Sequence, residues 1–248
     1  MELKMAWMYP DIMDLYGDRG NVAALRYRCR QRAVECTVDH YGMGDTVDFS
    51  AYDLVFIGGG ADKEQRLLAQ DLYRHRAAIE RALDTGTFFL LICGAYQLFG
   101  TYYIDAAGHK VNGLGLYPYR TEAGGNGRRC IGNIAVEAVL DGVTMQVVGF
   151  ENHGGQTMGV DHPFGRVLHG RGNHFGARHE GYCDGRILGT YMHGPLLPKN
   201  PALTDGIIRR ALRTRYGTVT LPPMDDSLEQ RAHDIMMERM MKAKRDGR

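Results

Sequence analysis

The apolar run at residues 87–92 (TFFLLI) constrains the fold more than any other segment of this chain. A strand without a polar face must be covered on both sides, as in a parallel sheet between layers of helices. Similar short runs at residues 3–9, 33–40 and 52–57 alternate with segments of helical period. The sequence therefore predicts an α/β fold with a mostly parallel central sheet flanked by helices.

Helical spacing and helix start or stop signals mark the segments between and after these runs. The predicted helices cover residues 21–32 with Asn21 as N-cap, most of 62–83, the segment after Cys93, 201–216, and 227–244. Between residues 113 and 194, shorter runs separated by glycine predict antiparallel strands and loops. We expect one main domain, 1–218, and a C-terminal helical extension, 219–248, which docks on that domain or binds a partner.

Composition limits the kinds of partner that we expect the protein to bind. The 30 basic and 29 acidic residues give a net charge of +1, so no field of one sign favours nucleic acid. Charges at Glu2 and Lys4 interrupt the first apolar run, and no later run approaches the roughly 20 residues that span a bilayer. We expect a cytoplasmic protein whose five cysteines are thiols, with small-molecule or protein partners.

Cys93 ends the central apolar run and is followed at once by Gly94 and a helical segment. A strand that turns into a helix at a cysteine presents the sulfur at the carboxyl edge of the sheet and aims unpaired helix N–H groups at it. This nucleophile elbow favours the thiolate, and the Gly94 N–H can donate to an oxyanion. The alternative is an inert buried thiol. We predict that Cys93 is a catalytic nucleophile.

Gly58, Gly59 and Gly60 end the preceding strand and should stand beside the Cys93 turn. They form either a permissive turn or a second source of oxyanion donors, for which we select Gly59. A cysteine nucleophile also needs a base, and His193 ends the predicted strand at residues 187–192.

His153 is the rival to His193 as the base, and a lone histidine is often only a surface or core residue. His174, His179 and Cys183 match no common metal-ligand spacing. We therefore predict no metal site.

Several motifs now form a recognisable set between residues 5 and 205. They are YPDIMDLYGDRGNV, FIGGGADKEQ, LLICGAYQLFG, RRCIGNI, VVGFENHGG and LGTYMHGPLLPKNPALTD. Together they resemble the class I glutamine amidotransferases of the CobB/CobQ (cobyric acid synthase) type, which have a flavodoxin-like fold. Within that family the chain is similar to the glutaminase subunits of lipid II isoglutaminyl synthases.

The resemblance implies that Cys93 forms a glutamyl thioester with L-glutamine and that His193 assists release of ammonia by proton transfer. Arg129 falls at the family position that holds the glutamine, and a guanidinium can grip the α-carboxylate, with Arg128 as the alternative. The ammonia would pass to a MurT-like Mur-ligase subunit, which amidates the D-glutamate of the lipid II stem peptide. ATP and Mg belong on that partner, since this chain has no phosphate-binding loop motif and is expected to carry no cofactor.

The chain departs from the family pattern in two places. Leu91 and Ala95 stand where many members have glycine, a change tolerated in this branch. Pro195 occupies the position of the usual triad glutamate, so we expect no orienting carboxylate for His193 in this chain. Either Cys93 and His193 work as a dyad at reduced rate, or the partner inserts an acidic residue. We favour the second account.

Two other functions stay open. The chain could amidate a corrinoid or another acceptor, because the acceptor is chosen by a partner. It could also be a cysteine peptidase or a non-catalytic binding module on the same scaffold. The joint presence of Cys93, His193 and Arg129 argues against this last reading.

Overall fold

The computed structural model of the protein describes residues 1–245. The strands are β1 (Glu2–Met8), β2 (Glu35–Tyr41), β3 (Leu54–Ile57), β4 (Phe88–Ile92), β5 (Tyr102–Ile104), β6 (Lys110–Asn112), β7 (Arg120–Ala123), β8 (Cys130–Leu140), β9 (Val143–His153), β10 (Gly155–Met158), β11 (Gly165–His169), β12 (His179–Glu180), β13 (Tyr182–Cys183), β14 (Ile187–Thr190) and β15 (Met192–His193). The α-helices are α1 (Arg19–Gln31), α2 (Asp62–Arg74), α3 (Arg76–Thr85), α4 (Gly94–Phe99), α5 (Pro201–Tyr216) and α6 (Ser227–Arg245).

The central sheet has six strands in the order β13-β14-β4-β3-β1-β2. All neighbours pair in parallel except β13, which lies antiparallel on β14 at the edge. Every residue of β3 and β4 is buried, as their unbroken apolar sequences predict. The five parallel strands follow the flavodoxin-like order, so the predicted fold class is confirmed. In such sheets, ligands bind beyond the carboxyl ends of the strands.

Two smaller sheets contain the glycine-rich part of the chain. One is antiparallel with the order β12-β11-β8-β9-β15, and the other has the order β10-β7-β5-β6. The long β8–β9 hairpin pairs from Cys130 opposite His153 to Leu140 opposite Val143. The single strand predicted over residues 187–192 is wrong, because β14 ends at Thr190 in the central sheet and β15 begins at Met192 in the antiparallel sheet. The chain changes sheets at Tyr191.

The start of α1 differs from the sequence prediction. The helix begins at Arg19, and Asp18 occupies the N-cap position without making a side-chain cap. Asn21, the predicted N-cap, lies inside the helix and is fully buried, and its Oδ1 accepts the Leu197 N–H at 2.8 Å. The prediction for Asn21 is wrong because a distant segment of the chain uses its side chain.

The single helix predicted over most of residues 62–83 is two helices that meet at His75. His75 is buried, and its ring packs edge-on against Phe49 with a centroid separation of 5.5 Å. Its Nε2 lies 4.0 Å from Asp71 Oδ2. These contacts of a residue at the helix junction are tertiary, and local spacing does not predict them.

The C-terminal helix α6 packs on the antiparallel sheet. Met237 and Met240 form a buried cluster with Ala135 and Val148 from β8 and β9. One ring nitrogen of His233, Nε2, lies 3.1 Å from the Gln146 carbonyl oxygen. The helix thus contacts its own domain, and residues 246–248 of the predicted extension lie outside the described residues. No helix within residues 1–245 combines the length and apolar character needed to cross a bilayer.

Candidate active site

Cys93 lies in a strained turn between β4 and α4. Its backbone has φ 50° and ψ −103°, a conformation that a non-glycine residue rarely adopts outside functional sites. The Cys93 N–H donates to the Thr190 carbonyl at 2.7 Å, and the Cys93 carbonyl accepts the Gln97 N–H at 3.1 Å. Strand β14 on one side and helix α4 on the other therefore hold the turn that the sequence predicts.

His193 faces this turn together with a carboxylate that the sequence did not reveal. The side chains of His193 and Asp18 are both fully buried, and His193 Nδ1 lies 3.6 Å from Asp18 Oδ1. The other oxygen, Asp18 Oδ2, accepts the Gly59 N–H at 2.7 Å. The expectation that no carboxylate of this chain reaches His193 is wrong. Asp18 therefore places a carboxylate beside His193, although Pro195 occupies the usual position of the triad glutamate.

Close packing between two distant segments brings Asp18 to His193. A Cβ atom on Gly20 would lie 2.4 Å from Pro195 Cγ, so only glycine lets the turn after His193 rest on the start of α1. The Asn21–Leu197 hydrogen bond fastens the same two segments. One signal could have identified Asp18, since it follows β1 at the carboxyl edge of the parallel sheet.

The charges around His193 favour its protonated ring. Burial by itself lowers the pKa of His193, but the Cys93 sulfur and the Asp18 carboxylate outweigh burial and raise that pKa to about 10. A cysteine beside a protonated histidine can exist as a thiolate–imidazolium pair. In such a pair the sulfur is the nucleophile and the ring can protonate a leaving group.

The glycines after β3 are required for close approach. None of Gly58, Gly59 and Gly60 has a positive φ, so a permissive turn does not explain them. A Cβ atom on Gly59 would lie 2.8 Å from His193 Cε1 and 3.3 Å from Cys93 Cβ. A Cβ atom on Gly58 would lie 2.0 Å from the Met13 backbone oxygen, in the loop after β1. Glycine at these positions lets the loop pack between the two candidate catalytic groups.

The two predicted oxyanion donors differ in their availability. Gly94 is the first residue of α4, where a backbone N–H has no acceptor within the helix. A Cβ atom on Gly94 would lie 2.7 Å from Gln65 Cδ, so this position too has no room for a side chain. The Gly59 N–H is already donated to Asp18. Its oxyanion role stays a prediction, and it would require exchange of that bond.

A cavity of about 450 Å³ opens over Cys93 and is bordered by Arg129, Asn152 and Tyr16. Arg129 Nε and Nη2 donate to Asn152 Oδ1 at 3.1 and 3.0 Å. Asn152 Nδ2 in turn donates to the Tyr16 hydroxyl at 2.5 Å. A side chain that can bind a carboxylate is therefore held at the rim of the cavity that contains the sulfur.

The neighbouring Arg128 is used differently. Its guanidinium lies over the Phe175 ring, 4.3 Å from the ring centroid. Arg128 does not border the cavity over Cys93, whereas Arg129 does. Of the two arginines considered from the sequence, the structure brings Arg129 together with the candidate nucleophile.

His153, the rival base, also borders this cavity. Its Nδ1 lies 2.7 Å from the Gly155 carbonyl, and its ring stacks on Tyr191 with a centroid separation of 3.6 Å. His193 is the histidine that lies beside both Cys93 and Asp18. The geometry therefore favours His193 as the base.

The fold and the site together define a class of α/β enzyme in which a cysteine at a strand-to-helix elbow faces a histidine and a carboxylate. The sequence profile of the CobB/CobQ-like glutamine amidotransferase domain matches residues 4–201. The chain belongs to the CobB/CobQ-like glutamine amidotransferase family.

Two named relatives match over nearly the whole chain, and a third matches over less than half of it. It is 34% identical over 244 residues to the lipid II isoglutaminyl synthase (glutamine-hydrolyzing) subunit GatD of Staphylococcus aureus, covering 98% of both chains. It is 35% identical over 232 residues to the same subunit from Streptococcus pneumoniae, covering 92% of this chain and 88% of the relative. A cobyric acid synthase of Brucella anthropi is 34% identical over 118 residues, which is 44% of this chain and 22% of the relative.

A crystal structure of a glutamine amidotransferase shares the fold. Its TM-score is 0.52 at 11% identity, with coverage of 84% of this chain and 97% of that one. At this identity the similarity concerns the fold alone, and it agrees with the family assignment.

Proposed function

We propose that this chain is the glutaminase subunit of a lipid II isoglutaminyl synthase. It would hydrolyse L-glutamine and pass the ammonia to a MurT-like ATP-dependent ligase, which amidates the D-glutamate of the lipid II stem peptide to D-isoglutamine. The observation that carries the proposal is the placement of Cys93 against His193 and Asp18, under a cavity bordered by Arg129. The names of the two relatives that match over most of the chain, each a subunit of a lipid II isoglutaminyl synthase, support the choice of acceptor and the existence of a partner subunit.

The chemistry follows from the positions of these groups. The Cys93 sulfur attacks the side-chain amide carbon of glutamine, and the Gly94 N–H stabilises the oxyanion. His193 transfers its proton to the departing nitrogen, so ammonia leaves and a glutamyl thioester remains. His193 then takes a proton from water, which attacks the thioester, releases glutamate and restores the thiol. Asp18 orients the ring through both steps.

The same proposal assigns the remaining roles. Arg129 binds the α-carboxylate of glutamine, since a guanidinium matches a carboxylate in geometry and charge. In this proposal the partner binds ATP and Mg and forms a heterodimer with this chain. The assembled enzyme works in the cytoplasm, where the nucleotide is available. No cofactor is assigned to this chain.

A glutaminase assay of the purified chain, alone and with a co-expressed Mur-ligase-like ATPase, tests the proposal. We expect Cys93→Ser to abolish glutamate release and a glutamine-like alkylating agent, 6-diazo-5-oxo-L-norleucine, to block it. Cys183→Ser, which changes a half-buried cysteine away from the cavity, is the matched control and should retain activity. Full activity of Cys93→Ser would overturn the proposal.

A second candidate function is amidation of a different acceptor, which the partial similarity to cobyric acid synthases favours. The two candidates share the glutaminase step and differ in the ligase that receives the ammonia. Co-purification followed by an amidation assay on lipid II separates them. Glutaminase activity without amidation of lipid II by the co-purified complex would favour the second candidate.

A further inference from the structure

Glu180, in β12, is a fully buried carboxyl group close to the site. It forms no ion pair with any lysine or arginine in the part of the chain that the structure describes. Burial raises the pKa of Glu180 to about 8, although hydrogen bonds from the Tyr191 N–H and the Thr190 hydroxyl act in the opposite direction. A buried carboxyl group costs free energy unless its hydrogen bonds compensate for lost solvation. Its presence here therefore requires a reason.

Glu180 binds the chain where it passes from one sheet to another. Thr190 is the last residue of β14 and pairs with Ile92 of the central sheet. Met192 is the first residue of β15 and pairs with Glu151 of the antiparallel sheet. Tyr191, between them, belongs to neither ladder. Without another acceptor its buried N–H would be left unpaired.

The carboxyl group of Glu180 supplies that acceptor and holds the preceding residue as well. Glu180 Oε1 accepts the Tyr191 N–H at 2.7 Å. The Thr190 hydroxyl lies 3.0 Å from both carboxyl oxygens and also accepts the Met192 N–H at 3.0 Å. Glu180 thus holds Thr190 and Tyr191 directly, and Met192 through the Thr190 hydroxyl.

This sheet change carries both candidate catalytic groups. The Thr190 carbonyl accepts the Cys93 N–H at 2.7 Å, so the elbow is fastened to one side of the change. His193 ends β15 on the other side. A rotation of the chain at Tyr191 would move His193 relative to Cys93, and misplacement by about 1 Å can cost on the order of 100-fold in rate.

We infer that Glu180 is a positioning residue for the hydrolysis of glutamine, which fixes the sheet change at Tyr191 so that His193 stays in register with Cys93. This inference rests on the proposed function, because kcat and KM are measured for the hydrolysis of glutamine. The hydrogen bonds of Glu180 go to Thr190 and Tyr191, and neither residue borders the substrate cavity. Its effect should therefore be on kcat rather than on the KM for glutamine.

The test compares two substitutions in the full chain. Glu180→Gln keeps the shape of the side chain, an oxygen for the Tyr191 N–H and a polar partner for the Thr190 hydroxyl, so kcat should stay within about 3-fold of wild type. Glu180→Leu removes both acceptors, and kcat should fall by about 30- to 100-fold while KM changes by less than about 3-fold. Glu137→Leu, at a partly exposed carboxylate of β8, is the matched control and should leave both constants unchanged.

A second measurement does not depend on glutaminase activity. The rate of Cys93 alkylation by iodoacetamide reports whether His193 still activates the sulfur, and it should fall in Glu180→Leu and recover in Glu180→Gln. The proposed function fails if Cys93 of the wild-type chain is alkylated rapidly but the chain hydrolyses no glutamine, with or without the ligase. The alkylation rates of the variants would still decide whether Glu180 positions His193.

Thr190→Val covers the case in which Glu180→Leu does not fold. This variant keeps the backbone carbonyl that binds Cys93 and loses only the hydroxyl that joins Glu180 to Met192. We expect an intermediate loss of kcat, about 3- to 10-fold, with an unchanged KM. Wild-type kcat and alkylation rate in Thr190→Val and Glu180→Leu, or a rise in KM alone, would overturn the inference.

Discussion

At the scale of single residues, the site depends on how Asp18 uses its carboxylate. An aspartate at the N-cap position normally accepts an N–H from the first turn of its helix. Asp18 instead bonds the Gly59 N–H with one oxygen and faces His193 with the other. The Asp18 side chain therefore leaves α1 without a side-chain cap and places a negative charge beside the candidate base.

Asp18→Asn tests this role directly. The substitution keeps the shape and the bond to Gly59 but removes the charge beside His193, so we expect kcat to fall on the order of 10- to 100-fold. Steady-state glutaminase kinetics of the isolated chain provide the measurement. Asp11→Asn, at an exposed aspartate of the same loop, should behave as wild type. If Asp18→Asn is fully active, the orienting group comes from elsewhere, such as a partner.

The pH profile gives a second prediction at this scale. Because the pKa of His193 is raised to about 10, the imidazolium persists through neutral pH and is lost only as the pH rises through about 10. The rate of thioester formation should therefore decline at that alkaline limit. Asp18→Asn removes one of the groups that raise this pKa, so its decline should begin at lower pH. Profiles of kcat/KM that coincide for the two proteins would contradict this.

At the scale of elements, the loop after β3 is closely packed against its neighbours. It lies between the turn at Cys93, which follows β4, and the segment that carries Asp18. Parallel strands deliver these groups to one edge, but the spacing between them is set by glycines that let backbone approach backbone. A small side chain at Gly59 must displace a candidate catalytic group.

Gly59→Ala should therefore inactivate the protein more than it destabilises it. The added methyl would meet the His193 ring and the Cys93 side chain, so we expect kcat to fall at least about 100-fold. Thermal unfolding should show a loss of about 1 to 3 kcal/mol from overpacking. Gly42→Ala is the control, because its Cβ would meet only Asp45 at an ordinary 3.7 Å. Retained activity in Gly59→Ala would show that the contact is relieved without cost.

The β8–β9 hairpin presents Arg129 and Asn152 to the cavity as a hydrogen-bonded pair. Asn152→Ala removes both bonds to the amide oxygen and leaves the Arg129 guanidinium only the bond from Nη2 to the backbone carbonyl at position 152. A substrate carboxylate must then order the guanidinium on binding. We expect the KM for glutamine to rise about 10-fold with kcat within about 3-fold of wild type. Asn112→Ala, an exposed asparagine on β6, is the control for the kinetic comparison. A fall in kcat at constant KM would place Asn152 in the chemical step instead.

At the scale of the whole molecule, α6 covers the antiparallel sheet away from the cavity. Met240 is 3% exposed in the cluster that joins the helix to β8 and β9, whereas Leu228 on the same helix is 76% exposed. We therefore expect the buried Met240 to contribute to stability but not to activity, and the exposed Leu228 to contribute to neither.

Met240→Ala should lower the free energy of unfolding by about 2 kcal/mol without changing kcat at temperatures where the protein is folded. Leu228→Ala should change neither quantity, because its side chain is already in water. Denaturant unfolding and a glutaminase assay on the same preparations measure both. Loss of kcat in folded Met240→Ala would mean that α6 acts on the site.

The sequence by itself determined the α/β class and the elbow at Cys93, and it placed His193 at a strand end, although the strand predicted over residues 187–192 divides between two sheets at Tyr191. Each depends on local order: an apolar run buried on both faces, a cysteine followed by glycine and a helical segment, and a histidine at a strand end. Such signals lie within a few neighbouring residues, so spacing and composition are sufficient to find them.

Only the tertiary structure decided which carboxylate meets His193, where the helices over residues 62–85 break, and that Glu180 fixes the sheet change. Asp18 reaches His193 because Gly20 admits Pro195, and His75 marks a break where its buried ring packs on Phe49. The partners in these contacts are far apart in the chain. Their meeting depends on how whole elements pack, and no local pattern records it.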